Sequence, residues 1–497
     1  MKRYIFLQLF PACFFALSLA TLPSCGGKQV KDDDNKEVHR LPPTAEEWRK
    51  ARPLAGEAAK TVLPVFQRAA LDNGLSLFVV EEKSLPIVDV RIIFRGGADQ
   101  EPAKKAGLAS IVYDLLDEGA GKMDTVAFAE AQEELGTRIH SDFARESGYI
   151  SMGILKRNLD DGMGLMKLVV QNPRFNKSDF SRIKKAHQAS LVSRQGSTQA
   201  VAYKLFAASL FGEKHPYGHS ASGTKESLSK LKISDVKKFW SKGAGPENAA
   251  LVFTGDISLA EAKAIAEKHF GKWKSRTKSP LVVKDVPDLE SLSIKVVPFP
   301  GAAQTMVIIG RPLFKQGDPD EVPAMVFNQI LGGMFSSRLN MNLREDKHYT
   351  YGASSYVDGR LAVGPFLASA SIEAKHTKAA LIEFLAEFEK MAGAAPSAEE
   401  MTLARDNAVK SLPARFETIG AMGNAAENLF LYNLDDDFYQ KLPEKIAAVT
   451  AEDVLRVAKR ACKKEGLHII LVGPPEKVLA PIEEMKLGDF EKRSAAP

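Results

Sequence analysis

Residues 105–119 read KAGLASIVYDLLDEG. Placed on a helix at 100° per residue, Leu108, Ile111, Val112, Leu115 and Leu116 gather into an apolar stripe wide enough to pack on a sheet. Ser110, Tyr113, Asp114 and Asp117 gather on the opposite face. Ser110, Tyr113 and Asp114 stand at i, i+3 and i+4, so their three side chains are expected to look into one small volume. That is the frame of the inverted zinc motif H-x-x-E-H, whose two histidines hold metal while the glutamate activates water. Here the frame carries serine, tyrosine and aspartate. Zinc requires imidazole, thiolate or carboxylate donors, and Asp114 alone holds it weakly. The helix is therefore read as a packing element.

The flanking sequence extends the likeness. Leu71-Asp72-Asn73-Gly74-Leu75 forms an L-x-N-G-L start, and Arg95-Gly96-Gly97-Ala98-Asp99-Gln100-Glu101-Pro102 is a strand end with an acidic, proline-containing turn. Gly107-Leu108-Ala109 opens the motif helix. Downstream come HPYG at His215 to Gly218, the pair Gly223-Thr224, and NAALVFTGD from Asn248 to Asp256. In this order the motifs resemble the pitrilysin/insulinase-type zinc peptidases, in their short, processing-peptidase-like branch, over about residues 63–475. The resemblance implies an α+β fold of two homologous domains, each a mostly antiparallel sheet packed with helices, joined by a linker.

The family's third zinc ligand, a glutamate about 75 to 80 residues after the motif, has no counterpart, since no acidic residue lies between Phe180 and Gly212. What the resemblance leaves intact is in the second half. LREDKHYTYGASSY, Leu343 to Tyr356, matches the family's L-R-E…Y block, with Arg344 and Tyr351 seven residues apart. In the family this arginine and tyrosine hold the substrate backbone and stabilise the oxyanion; fixed donors aimed at developing charge lower the barrier. Some bacterial members are heterodimers that divide the zinc motif and the Arg/Tyr pair between subunits. The resemblance thus implies a chain with no cofactor of its own, whose Arg344 and Tyr351 complete the site of a zinc-bearing partner around an extended peptide.

Composition restricts the alternatives. The 497 residues are 45% hydrophobic and 26% charged, enough for a sizeable core in several domains. The net charge of +5 is spread along the chain without a basic block, which gives no argument for nucleic acid. Lys2 and Arg3 precede an apolar run from Tyr4 to Leu22 that reads as a secretory signal. Leu22-Pro23-Ser24-Cys25 resembles a bacterial lipobox, making Cys25 the candidate for lipidation; Pro23 fits it imperfectly, and ordinary cleavage nearby is the alternative. Gly26 after the cysteine suits outer-membrane sorting, so the expected location is periplasmic, anchored by lipid. With Cys13 in the signal, only Cys462 belongs to the folded part, which excludes an internal disulfide; it is read as a buried small apolar residue.

The second half repeats the first. Ser234-Asp235-Val236 starts a helix leading to a strand that ends at Gly255, and Glu452-Asp453-Val454 starts one leading to a strand that ends at Gly473. Asp235 to Asp453 and Gly255 to Gly473 are both 218 residues apart, as duplication of one α+β unit requires. The expected organisation is a signal with lipobox at 1–25, a polar tether at 26–62 containing Asp32-Asp33-Asp34, and a first peptidase-like domain at 63–278. A linker at 279–292, a second domain at 293–480 carrying the Arg/Tyr block, and a frayed tail at 481–497 follow.

Other candidates are weaker. His215 and His219 are separated by Pro216 and Gly218, which makes a turn rather than a helical ligand pair. Gly332-Gly333 lacks the Lys-Ser/Thr of a phosphate loop. The leading expectation is a non-catalytic subunit of a heteromeric zinc peptidase. The alternatives are a silent scaffold of the same fold and a free-standing metallopeptidase with a site rebuilt from Asp114, His140 and His187.

Overall fold

The computed structural model describes residues 63–274, 282–287 and 289–494. The signal, Cys25, the tether and part of the expected linker lie outside the described residues. Two six-stranded mixed sheets, each packed with helices, make an α+β fold of two related units.

In the first sheet the strands are β1 (Gln67–Ala70), β2 (Ser76–Glu81), β3 (Ile87–Arg95), β4 (Ile139–Phe143), β5 (Ser147–Leu155) and β6 (Ala249–Gly255). They lie in the order β1-β2-β6-β3-β5-β4, and only β2 and β6 run parallel. The second sheet holds β7 (Ser293–Pro298), β8 (Gln304–Phe314), β9 (Thr350–Val357), β10 (Gly364–Glu373), β11 (His468–Gly473) and β12 (Phe490–Lys492). Its order is β12-β7-β11-β8-β10-β9, with β7 parallel to both β11 and β12. The chain beyond Ala480 therefore does not fray as expected: a helix runs on to Met485, and β12 finds hydrogen-bonding partners on the open edge of β7.

The first unit carries α1 (Leu108–Leu116), α2 (Thr125–Glu134), α3 (Leu159–Gln171) and α4 (Lys177–Gln195). It continues with α5 (Thr198–Phe211), α6 (Lys225–Lys230), α7 (Ile233–Gly243) and α8 (Leu259–Phe270). The second carries α9 (Glu321–Asn328), α10 (Arg338–Asn340), α11 (Thr377–Gly393) and α12 (Ala398–Lys410), then α13 (Ile419–Leu431), α14 (Phe438–Ala447), α15 (Ala451–Ala461) and α16 (Pro475–Met485). α7 leads to β6 as α15 leads to β11, so the repeat legible in the sequence is a repeat of structure. Asn73 shows why the opening motif has the residues it has. Gly74 takes a left-handed conformation (φ +89°) that closes the turn between β1 and β2, while the Asn73 amide donates to the carbonyls of Phe270 and Trp273 at 2.8 and 3.1 Å, tying the hairpin to the end of α8. Cys462, next after α15, is buried, and burial pushes its thiol pKa up, which suits an inert core residue.

Both faces of the central strands of each sheet are buried, and the two faces are covered differently. One face of the first sheet, with Leu77, Val79, Val90 and Ile92, is covered by its own helices. The other, with Phe78, Val80, Ile93 and Val252, is covered by α13 of the second unit, whose Phe430 meets Phe78 edge-on at 6.4 Å. Reciprocally, α5 of the first unit lays Ala202, Phe206 and Leu210 on Met306, Ile308, Ile470 and Val472 of the second sheet. Each unit thus lends a helix to the other. Polar locks reinforce the exchange. Buried Glu146 accepts from the Tyr217 hydroxyl, from the Leu361 amide at 3.0 Å and from the Tyr432 hydroxyl at 3.2 Å. Buried Arg91 bonds Asn424 and lies 3.4 Å from Glu427, which accepts from Ser147 at 2.6 Å. Unpaired, either buried charge would be costly; paired across the two units, each fixes their docking.

Candidate functional site

α1 is positioned from its N-terminus. Glu101, buried in the acidic turn, accepts from the amides of Gly107 and Ala109, both at 2.9 Å, satisfying donors that the first turn leaves open and placing a carboxylate where the helix dipole favours it. His219 of the HPYG loop lies 3.3 Å from the same carboxylate, and Arg145 donates to the carbonyls of Pro216 and His219. His215 and His219 are thus turn residues, the first accepting from the Tyr217 amide at 3.0 Å.

The three motif side chains do not share one volume. Tyr113 leaves the group: its ring is buried between Phe143, stacked at 6.0 Å, and Trp240, edge-on at 6.0 Å. A phenol ring is mostly apolar, and the space above Gly148 admits it; any Cβ at Gly148 would overlap the Tyr113 hydroxyl. The position that would carry the general base is therefore core, and burial pushes its phenol further from ionisation. Ser110 and Asp114 do face outward, into a cleft of about 930 Å³.

A residue that the sequence places only by its distance from the motif joins them there. His187 on α4, the helix expected to carry the third ligand, approaches Asp114 Oδ2 at 2.5 Å through Nε2 and Ser110 Oγ at 3.5 Å through Nδ1. An imidazole and a carboxylate that satisfy each other, beside one hydroxyl, do not make a zinc site. The rebuilt site of Asp114, His140 and His187 fails as well. His140 lies exposed on β4, while its neighbours Ile139 and Ser141 point inward as strand alternation demands. Among the described residues no three His, Cys, Asp or Glu side chains are placed to hold a metal ion. A nucleophilic serine is not built here either: Ser110 stands at the limit of hydrogen bonding from His187, and the Gly107 and Ala109 amides are already committed to Glu101. The Asp114–His187 pair is half-exposed, with side chains 49% and 17% accessible, so His187→Ala should lower stability by no more than about 1 kcal/mol. A larger shift of the urea midpoint would give the pair a structural role that its exposure does not support.

Two carboxylates beneath α1 behave otherwise. Burial pushes Asp99 up to about 6, further raised by Glu146 and opposed by bonds from the Gly97 amide and Gln100. Burial likewise pushes Asp117 up to about 6, against the Ser141 hydroxyl at 2.7 Å. An aspartate with a raised folded pKa binds its proton more tightly folded than unfolded, so the stabilising contribution of these two groups is full below about pH 4 and is lost as pH rises through about 6. Asp99 is 2% exposed, and its share of that fall is on the order of 3 kcal/mol. Asp99→Asn should flatten the dependence of the urea midpoint between pH 4 and 6, and an unchanged slope would refute it.

Arg344 and Tyr351 sit elsewhere. A wide π turn at Gln329–Gly333 ends the helix run of α9, and a second at Met341–Asp346 presents Arg344. Its guanidinium lies 3.1 Å from Glu345 and 4.8 Å from the Phe335 ring centre, with 41% of the side chain exposed. Tyr351, at the head of edge strand β9, is 90% exposed. The turn and the strand pack together, but no hydrogen bond between described residues joins the two side chains, and neither lines the cleft over α1. Both side chains stand open to solvent.

Sequence comparison places these features in context. Residues 77–222 match a family model described as insulinase (peptidase family M16), and residues 230–408 match the model of the peptidase M16 inactive domain. The chain is 24% identical over 417 residues to a protein of Helicobacter pylori named non-peptidase homolog YmxG, covering 80% of this chain and 91% of that one. It is 21% identical to a Rickettsia bellii protein named as an uncharacterised zinc protease, covering 82% and 98%. A crystal structure of a peptidase M16 inactive domain from Pseudomonas fluorescens superposes with a TM-score of 0.77 at 23% identity, over 82% of this chain and 98% of that one. A protease structure from Helicobacter pylori does so with a TM-score of 0.77 at 20% identity, over 83% and 100%. These structures establish the shared fold.

Proposed function

The chain belongs to peptidase family M16, the insulinase family, and we propose that it acts there as the non-catalytic subunit of a heteromeric zinc peptidase. The observation that carries this reading is the asymmetry between its two units. In the first, the metal-ligand positions are closed by the Asp114–His187 pair and the base position is core. In the second, Arg344 and Tyr351 stand exposed on a packed turn and strand, with no role in the interior. A guanidinium and a phenol so displayed can bind a peptide carbonyl and the oxygen on which charge develops when a partner's metal-bound water attacks it. The name of the Helicobacter relative, a non-peptidase homologue, agrees with this assignment. The partner supplies zinc and the general base; this chain supplies grip and charge stabilisation for an extended peptide. The N-terminal signal and Cys25 would hold the assembly at the periplasmic face of the outer membrane.

The test is reconstitution. The purified chain alone should retain no stoichiometric zinc after dialysis and cleave no peptide. Mixed with an M16 chain that has an intact H-x-x-E-H, it should raise cleavage. Tight zinc with unaided cleavage would overturn the proposal, and association without any gain in cleavage would reduce the protein to a scaffold.

A further inference from the structure

A second cleft, of about 690 Å³, opens along the face of α5 turned away from the second sheet. It shares Leu191, Arg194 and Ser222 with the cleft over α1, so the two clefts adjoin there. Together they exceed the roughly 300–1,000 Å³ of a small-molecule pocket, which favours an elongated occupant. The two ends differ in charge. Over α1 the lining is mixed, and Glu118 is already paired with Arg182 at 2.6 Å. Along α5 the lining carries Arg145, Arg194, Lys204, Lys225 and Arg493, with His219 beside them, against the carboxylate of Glu213. A smaller adjoining cleft adds Lys214 and Lys295 on the same side.

Few of these cations are neutralised internally. Arg145 donates to two backbone carbonyls, and Arg194 donates to the Ser222 hydroxyl at 2.7 Å. Arg493 is paired with Glu491 at 2.6 Å, and Lys295 lies 3.9 Å from the same carboxylate. Between the cations the floor is small and apolar: Ala200, Val201, Ala207 and Ala208. That surface suits a polypeptide main chain with acidic side chains alongside it. Among the described residues it lacks the run of aromatic platforms that a single-stranded nucleic acid would use, with Tyr203 the one Phe, Tyr or Trp lining it.

We propose that this groove selects extended polypeptide segments rich in aspartate and glutamate, the acidic side chains lying along α5 and the chain continuing over α1. The inference rests on the peptide-holding role proposed above and adds the class of peptide. Attraction of this kind between a cationic groove and an acidic segment governs selectivity and on-rate and is screened by salt.

The experiment measures fluorescence anisotropy of two labelled peptides of equal length with the purified protein. One peptide carries glutamate at every third position, the other lysine. The acidic peptide should bind at least about tenfold tighter at low salt, with the advantage shrinking as salt rises. Lys204→Glu combined with Lys225→Glu, both at exposed positions, should abolish or reverse the preference without changing the circular dichroism melt. Equal binding of both peptides, or a preference unaltered by the double substitution, would overturn the inference while leaving the peptide-holding role intact. Binding of neither would overturn both. Displacement of the acidic peptide by an oligodeoxynucleotide of equal charge, at equal concentration, would show a general polyanion site and overturn the selection of acidic peptides.

Discussion

Arg344→Ala is expected to lower the kcat of a reconstituted complex by about 10²–10³-fold, with assembly unchanged. The size follows from the role proposed for the guanidinium: a fixed charged donor at developing oxyanion charge would act in the transition state more than in the ground state, so kcat should fall much more than KM rises. The side chain is substantially exposed and, among the described residues, is engaged by the Glu345 carboxylate and the Phe335 ring, so its removal should leave the fold unaffected. Arg344→Lys retains the charge but not the planar fork, and should recover only part of the loss. Tyr351→Phe removes one hydroxyl from an almost fully exposed residue, so any loss of activity comes from that donor and not from packing. The measurement is steady-state cleavage at saturating partner, with association checked separately by sedimentation. Wild-type kcat in both Arg344→Ala and Tyr351→Phe would refute the completing role.

Phe206→Ala is expected to cost about 3–5 kcal/mol and to weaken both units together. Phe206 is buried on α5, where its ring lies on the second sheet so closely that a Cβ at Gly310 would come within 2.9 Å of it. Removing the ring leaves a void between a helix that belongs to the first unit and strands of the second, and the rigid sheet cannot close over it. Because α13 reciprocates on the first sheet and Glu146 joins Tyr217, Leu361 and Tyr432, neither unit can unfold without exposing the apolar face of the other. Thermal unfolding of the wild type should be a single transition, displaced downward as a whole in the variant. Two separated transitions, one of them unmoved by the substitution, would show that the exchanged helices do not couple the units.

The sequence by itself determined the repeat, the strands and the absence of the family's zinc-ligand residues. Two equal spacings of 218 residues, β-branched runs and the L-D-N-G-L turn are local signals, and a ligand that is missing by residue type cannot be supplied by folding. The amphipathic stripe of α1 was equally legible, since Leu108, Ile111, Val112, Leu115 and Leu116 are all buried. The opposite face was only half legible. Helical spacing puts Tyr113 beside Asp114, but the room over Gly148, on a strand far along the chain, draws the ring into the core. His187, on the helix expected to carry the third ligand, instead pairs with Asp114, a partnership that the sequence alone does not announce.

Only the tertiary structure decided how the units are joined. Neither α5 nor α13 announces itself by a clean apolar stripe, because each meets surfaces of both units, and their pairing with sheets more than 90 residues away leaves no local trace. The cationic groove along α5 was hidden for the same reason. Its charges are scattered from Arg145 to Arg493 in a chain whose overall balance is unremarkable, and only folding gathers them into one place.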